Sequence, residues 1–163
     1  INLSPKQFSD PDLVASIATI LKEEELPANL LELELTEGLL LEATEDTRLQ
    51  LDQLKSLGLT LAMDDFGTGY SSLSYLKKFP IDIIKIDRSF VLRDLPGQRA
   101  QIVLGNIIRL AVELEMSVIC EGVETAEQAA ILMRLGCFKA QGYYYAKPEP
   151  EHEFGARLAM LVT

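Results

Sequence analysis

Oxygen donors dominate the residues able to do chemistry in this chain of 163 residues. Asn2, Glu34, the adjacent pair Asp64-Asp65, Lys85, Asp87, Glu121 and Gln141 each stand at or near the C-terminal end of a short apolar run. Glu37 and Glu124 follow Glu34 and Glu121 by three positions. Carboxylates and amides brought to one place suit hard divalent cations: Mg²⁺, Mn²⁺ or Ca²⁺. Converging carboxylates repel one another and are costly to desolvate, and a divalent cation or protonation relieves both. An adjacent pair suits two ions, because one carboxylate can bridge while its neighbour reaches the second. Alone, Asp64-Asp65 would fit a solvated turn or a helix cap equally well. The matching donors at other run ends favour the cation reading. Lys85 has three readings: a Schiff-base lysine with a lowered pKa, a structural ion pair with Asp87 or Glu121, or a permanent cation acting on a phosphate or a water. Acids nearby keep an amine protonated, which favours the last.

Composition removes competing chemistry. His152 is the single histidine, so a His-rich zinc site is excluded and a Ser–His–Asp triad is disfavoured. Cys120 and Cys137 lie in apolar segments and read as buried free thiols, with a disulfide or a metal pair as the alternative. Fifteen basic against 25 acidic residues give a net charge of −10, which works against sequence-blind binding of DNA or RNA. A phosphate-bearing ligand would then need a recruited cation. Hydrophobic residues make up 48% of the chain, too many for a disordered or collagen-like protein. No apolar run approaches the ~18 residues of a membrane span.

The donors need a scaffold, and the sequence supplies one by alternation. Short apolar runs are expected as strands over Ile1–Leu3, Leu31–Thr36, Leu59–Asp64, Asp82–Ile86, Ser117–Glu121 and Phe138–Gln141. Amphipathic stretches between them are expected as helices over Asp12–Glu25, Thr44–Leu57, Ser71–Phe79, Arg99–Glu115, Thr125–Leu135 and Glu151–Leu161. Six β–α units of this kind imply a parallel sheet with crossover helices in one domain. Strand geometry then sorts the faces. Glu34 shares a face with Glu32 and Thr36, Asp64 with Thr60 and Ala62, Lys85 with Asp87, and Glu121 with Ile119. One polar-tipped residue per strand facing a common interior is barrel behaviour. In parallel β/α folds the C-terminal strand ends form the active-site rim.

Phe66-Gly67-Thr68-Gly69-Tyr70-Ser71-Ser72 joins a strand to a helix. It lacks the third glycine of a dinucleotide fingerprint and reads better as a lid beside the cation site. Glu37 is placed to accept hydrogen bonds from it. Of Tyr143-Tyr144-Tyr145, one could stack on a nucleobase, although packing and surface placement suit most of them.

The ordered blocks Asn2-Leu3-Ser4, Glu34-Leu35-Thr36-Glu37, Asp64-Asp65-Phe66-Gly67-Thr68-Gly69-Tyr70-Ser71-Ser72-Leu73, Ile84-Lys85-Ile86-Asp87, Glu121-Gly122-Val123-Glu124-Thr125 and Gln141-Gly142-Tyr143 closely resemble the EAL domain of bacterial cyclic di-GMP phosphodiesterases. The resemblance implies a TIM-like (β/α)₈ barrel and metal-dependent hydrolysis of cyclic di-GMP to linear pGpG. It implies Asn2, Glu34 and Asp64 as ligands of a first Mg²⁺ or Mn²⁺, and bridging Asp64 with Asp65 and Glu121 as ligands of a second. It implies catalytic roles for Lys85, Glu121 and Asp87, with Gln141, Glu37, Glu124 and Thr68 around them. Glu37 matches the glutamate that anchors the Asp-Asp-Phe-Gly loop. Cyclic di-GMP as ligand, a homodimer, upstream GGDEF or sensory domains and a cytoplasmic location, with membrane tethering through other regions, complete the expectation. The Glu-Ala-Leu tripeptide that names the family is absent from this sequence. Six β/α units correspond to the C-terminal three-quarters of such a barrel, so about 60 preceding residues are expected at roughly 30 per unit. They would carry a further metal-ligating glutamate. A non-catalytic EAL domain that receives cyclic di-GMP, or a purely structural or dimerisation module, is the alternative.

Overall fold

Alternating leucines set the pleat of the first strand. In β1 (Glu32–Thr36) Leu33 and Leu35 are 2% and 0% exposed, while Glu32, Glu34 and Thr36 on the other face are half-buried. By contrast β2 (Thr60–Phe66) is buried on both faces over Leu61–Met63 and β3 (Ile83–Ile86) is buried throughout; the alternation recurs in β4 (Ser117–Cys120), and β5 (Lys139–Ala140) spans two residues. This computed structural model describes residues 1–41, 44–68, 76, 78–92, 95 and 97–161. The five strands form one sheet in the order β1-β2-β3-β4-β5, and every neighbouring pair is parallel. Spatial order equals chain order, the way a β/α barrel is laid down strand by strand.

The expected strand over Ile1–Leu3 shrinks to one parallel bridge between Asn2 and Glu34. Leu3 N donates to Glu34 O at 2.9 Å and Glu34 N to Ile1 O at 2.9 Å. The chain then leaves the sheet at once, because Ser4 caps the short helix α1 (Pro5–Phe8) through a capping box with Gln7. The sheet therefore has five strands and a bridge among the described residues, rather than six full strands.

Helices α2 (Leu13–Glu23), α3 (Glu37–Leu41), α4 (Glu45–Ser56), α5 (Arg88–Leu92), α6 (Gln98–Glu113), α7 (Ala126–Arg134) and α8 (Glu151–Leu161) fill the connections. Helix α6 buries Leu104, Ile108 and Ala111, a stripe at helical spacing. Leu51 and Leu54 of α4 and Ile131 and Leu132 of α7 join the same core, against Leu35, Leu61, Met63, Ile84 and Ile86 of the strands. Each fully buried leucine or isoleucine contributes roughly 1.5–3 kcal/mol. Thr125 caps α7 and Gln128 completes its capping box, as the spacing predicts. The short α1, α3 and α5 were not expected. Each spans only four or five residues, too few for a periodic signal.

Most of the expected Ser71–Phe79 helix lies outside the described residues; within it Leu76 and Lys78 are in turns. Cys120 and Cys137 are free and buried. Among the described residues, no helix is long and apolar enough to cross a membrane.

One irregularity positions the site. Met63 pairs with Ile84 and Phe66 with Ile86, so Asp64 and Asp65 together oppose the single residue Lys85. That is a β-bulge in a parallel pair, where bulges are rare. Asp65, within this bulge, takes a left-handed backbone with φ 57°.

Candidate active site

Lys85 lies at the centre of the strand-end acids. Its Nζ is 2.9 Å from Glu34 Oε1, 2.8 Å from Glu121 Oε1 and 3.5 Å from Asp64 Oδ1. These carboxylates come from β1, β2 and the end of β4, while Lys85 stands on β3 between them. The lysine side chain is 6% exposed. Burial alone would lower its pKa, but hydrogen bonds to Glu121 and Glu34 and the charges of Glu121 and Asp64 outweigh that and raise it. Lys85 is therefore a cation, and the Schiff-base reading fails because it needs a free amine.

Glu121 Oε1 also accepts from Gln141 Nε2 at 2.7 Å, which ties the end of β5 to the cluster. Asp64 Oδ1 is buried and has no hydrogen-bond partner among the described residues. Asn2 pairs with Glu34, and paired residues of a parallel ladder point to the same face. Asp65, exposed beside Asp64, has a raised pKa. Burial comes first among the causes, then the Asp64 and Asp87 carboxylates, with Lys85 opposing them.

Asp87 Oδ1 accepts from Ser89 N at 2.9 Å and so caps the start of α5. Glu37 is 5% exposed and its Oε2 accepts from Gly67 N at 3.1 Å, holding the turn that follows the bulge. Thr68 Oγ1 donates to Asp65 O at 2.9 Å in that turn, whose continuation at Gly69-Tyr70-Ser71-Ser72 lies outside the described residues. Glu124 is exposed, and its N–H donates to Gln128 Oε1 at 2.7 Å.

A cleft of about 430 Å³ opens beside the cluster, lined by Arg88, Glu121, Glu124, Gln141, Tyr143 and Lys147 among others. Lys147 Nζ lies 5.5 Å from the centre of the Tyr143 ring. Sequence reasoning missed Arg88, Lys147 and Phe90. Phe90 packs on Gly67, where an added Cβ would lie 2.6 Å from its ring Cζ. Arg88 directly follows Asp87 and could have been flagged; Lys147 and Phe90 had no local signal.

Among the described residues, no three Asp, Glu, His or Cys side chains make a ready-made cation cage. The acids are instead drawn onto one ammonium. The donor set still fits a hard cation. It consists of oxygens alone, and the buried Asp64 Oδ1, which accepts no hydrogen bond among the described residues and has Lys85 Nζ only at 3.5 Å, is the kind of acceptor that a metal ion satisfies.

Strand-end carboxylates, an amide and a buried lysine gather beside a cleft at the rim of a parallel β/α sheet. The EAL domain family model matches residues 1–148, and the chain belongs to that family. Cyclic di-GMP phosphodiesterase RocR of Pseudomonas aeruginosa is 41% identical over 153 residues, 94% of this chain and 39% of RocR. The EAL domain of Mycobacterium smegmatis DcpA superposes with a TM-score of 0.92 at 41% identity, over 98% of this chain and 72% of that one. Klebsiella pneumoniae BlrP1, solved as a manganese/cy-diGMP complex, matches with a TM-score of 0.84 at 34% identity, over 91% of this chain and 38% of that one. The chain thus spans less than half the length of RocR.

Proposed function

We propose that the chain forms the larger part of a metal-dependent phosphodiesterase domain that hydrolyses cyclic di-GMP to linear pGpG. The observation that carries this reading is the meeting of Glu34, Asp64 and Glu121 on Lys85 at one sheet rim. The kinship to RocR and to the manganese- and dinucleotide-bound BlrP1 supports the choice of substrate and ion.

In this reading Asn2, Glu34 and Asp64 would hold one Mg²⁺ or Mn²⁺, and Asp64, Asp65 and Glu121 would hold a second. The ions supply Lewis-acid polarisation of the phosphate and a more acidic water. The chain's own groups do the rest. Water oxygen joins phosphorus in line and gives up a proton, the P–O3′ bond breaks, and the 3′ oxygen leaves carrying a proton in its place. Lys85, held cationic, places positive charge beside the phosphate and the attacking water. Gln141 orients Glu121, and Asp87 sets the start of α5 beside the site. Glu37 and Thr68 steady the turn that follows Asp64-Asp65. Glu124 is a supporting acid at the cleft. Arg88 and Lys147 offset the second phosphate, and the exposed Tyr143 ring offers a stacking face for guanine.

An eight-stranded barrel in the intact protein, a homodimer, fused GGDEF or sensory domains and a cytoplasmic location belong to the same proposal. The test is release of pGpG from cyclic di-GMP by the intact protein with Mn²⁺ or Mg²⁺, followed by chromatography. Turnover is expected to vanish with EDTA and in Asp64→Asn. Tight binding without pGpG would make the domain a receptor instead, and turnover retained by Asp64→Asn would overturn the site assignment.

A further inference from the structure

The oxygens proposed to hold divalent ions are already engaged by a side chain. Lys85 Nζ contacts Glu34 Oε1 and Glu121 Oε1 at hydrogen-bond distance, and Asp64 Oδ1 is its third neighbour. The bulge places Asp64 and Asp65 together opposite the one strand position that Lys85 occupies, and Asp64 is the one whose carboxylate meets the ammonium. Only 6% of the Lys85 side chain is exposed, so its ammonium is held among these carboxylates rather than in solvent.

We infer that Lys85 is a tethered counter-ion that competes with divalent cations for Glu34, Asp64 and Glu121, holding these carboxylates together before an ion arrives and weakening ion uptake when it does. This rests on the proposed cation site and adds to it a role distinct from any action of Lys85 on substrate. Two physical effects make the competition. The ammonium and the ion share the same acceptor lone pairs, so one is gained at the expense of the other. A positive charge held within about 4 Å of a divalent ion also repels it strongly in a partly buried site. Without any cation, three carboxylates this close would repel one another and open the rim. Gln141 is the second donor to Glu121 Oε1, so Glu121 keeps its direction when Lys85 yields.

The experiment measures Mn²⁺ affinity by electron paramagnetic resonance titration of the intact protein, and its thermal unfolding in EDTA. Wild type is compared with Lys85→Met and with Lys85→Gln, which keeps a hydrogen-bond donor and removes the charge. The expected result is Mn²⁺ binding about tenfold or more tighter in both variants, together with an unfolding midpoint in EDTA lower by about 5 °C. Added Mn²⁺ should recover that midpoint more in the variants than in wild type. A Lys85→Met protein that folds only when Mn²⁺ is present would support the inference as well. Equal or weaker Mn²⁺ binding by a folded Lys85→Gln protein would overturn the competition while leaving the cation site standing. Absence of Mn²⁺ binding in wild type and variants alike would remove the site and the inference together.

Discussion

Gly142 joins Gln141 to the cleft and lies against the backbone of Val123. A Cβ built there would sit 2.7 Å from the Val123 carbonyl carbon, and closer still to that residue's oxygen and nitrogen. Val123 is 0% exposed and its backbone cannot move aside. Two hydrogen bonds cross the same junction, Val123 N to Gln141 O at 3.1 Å and Tyr144 N to Val123 O at 2.9 Å. Gly142→Ala must therefore separate the segments. Overpacking costs about 1–3 kcal/mol and two weakened hydrogen bonds about 1 kcal/mol each, for a loss of about 3–5 kcal/mol. That is a large share of a typical total of about 5–15 kcal/mol. Gly67→Ala is the comparison. Its Cβ would meet only the outer end of the Phe90 ring, which can swing, and it adds the strain of φ 95°. About 2 kcal/mol is expected there, part of it recovered in a Gly67→Ala/Phe90→Ala double variant relative to additivity. The assay is urea unfolding at constant m-value, beside pGpG release. Turnover should fall in Gly142→Ala even at temperatures where it stays folded, because Gln141 is pulled away from Glu121. Destabilisation below about 1 kcal/mol, or less than that of Gly67→Ala, would refute the steric reasoning.

Glu37→Gln replaces a charge-assisted hydrogen bond to Gly67 N with a neutral one, at a cost of about 1–2 kcal/mol. The protein should stay folded by circular dichroism and lose turnover as the Asp64-Asp65 turn loosens; unchanged turnover would show that the turn needs no such anchor. Burial would raise the pKa of Asp87, but hydrogen bonds from the Ser89 hydroxyl and amide and the Arg88 amide pull it below its ordinary 3.8. A depressed carboxylate stabilises the fold above its unfolded-state value and loses that contribution as pH falls through its folded-state value. Asp87→Asn should therefore unfold at lower urea than wild type at pH 7, with the gap closing in acid below that folded-state value; a gap independent of pH would contradict the charge argument.

Local chemistry was legible in the sequence. Leucine alternation at 31–36 marked β1 because burying one face leaves a two-residue imprint whatever the rest of the chain does. Thr125 and Gln128 marked the start of α7 because a capping box is closed within four residues. The acids that gather on Lys85, namely Glu34, Asp64 and Glu121, could be flagged because each lies in or just after a short apolar run, and a parallel β/α order brings such runs to one rim. Strand lengths were less secure. β2 runs two residues past the expected Asp64, since a bulge, absent from any two-residue pattern, lets it continue.

What only the tertiary structure decided depends on register between segments far apart in the chain. Of the two ion-pair partners the sequence offers Lys85, the ammonium takes Glu121 rather than Asp87, and it adds Asp64 and Glu34, the latter 51 positions distant, because β1 and β2 lie on one side of β3 and β4 on the other. The seating of Gly142 on Val123, the Phe90 ring on Gly67 and the cleft shared by Arg88 and Lys147 arise in the same way. Residue types and their spacing determine which groups reach the rim. Which of them touch is set by strand pairing and by one inserted residue, and no local stretch of sequence contains those energies.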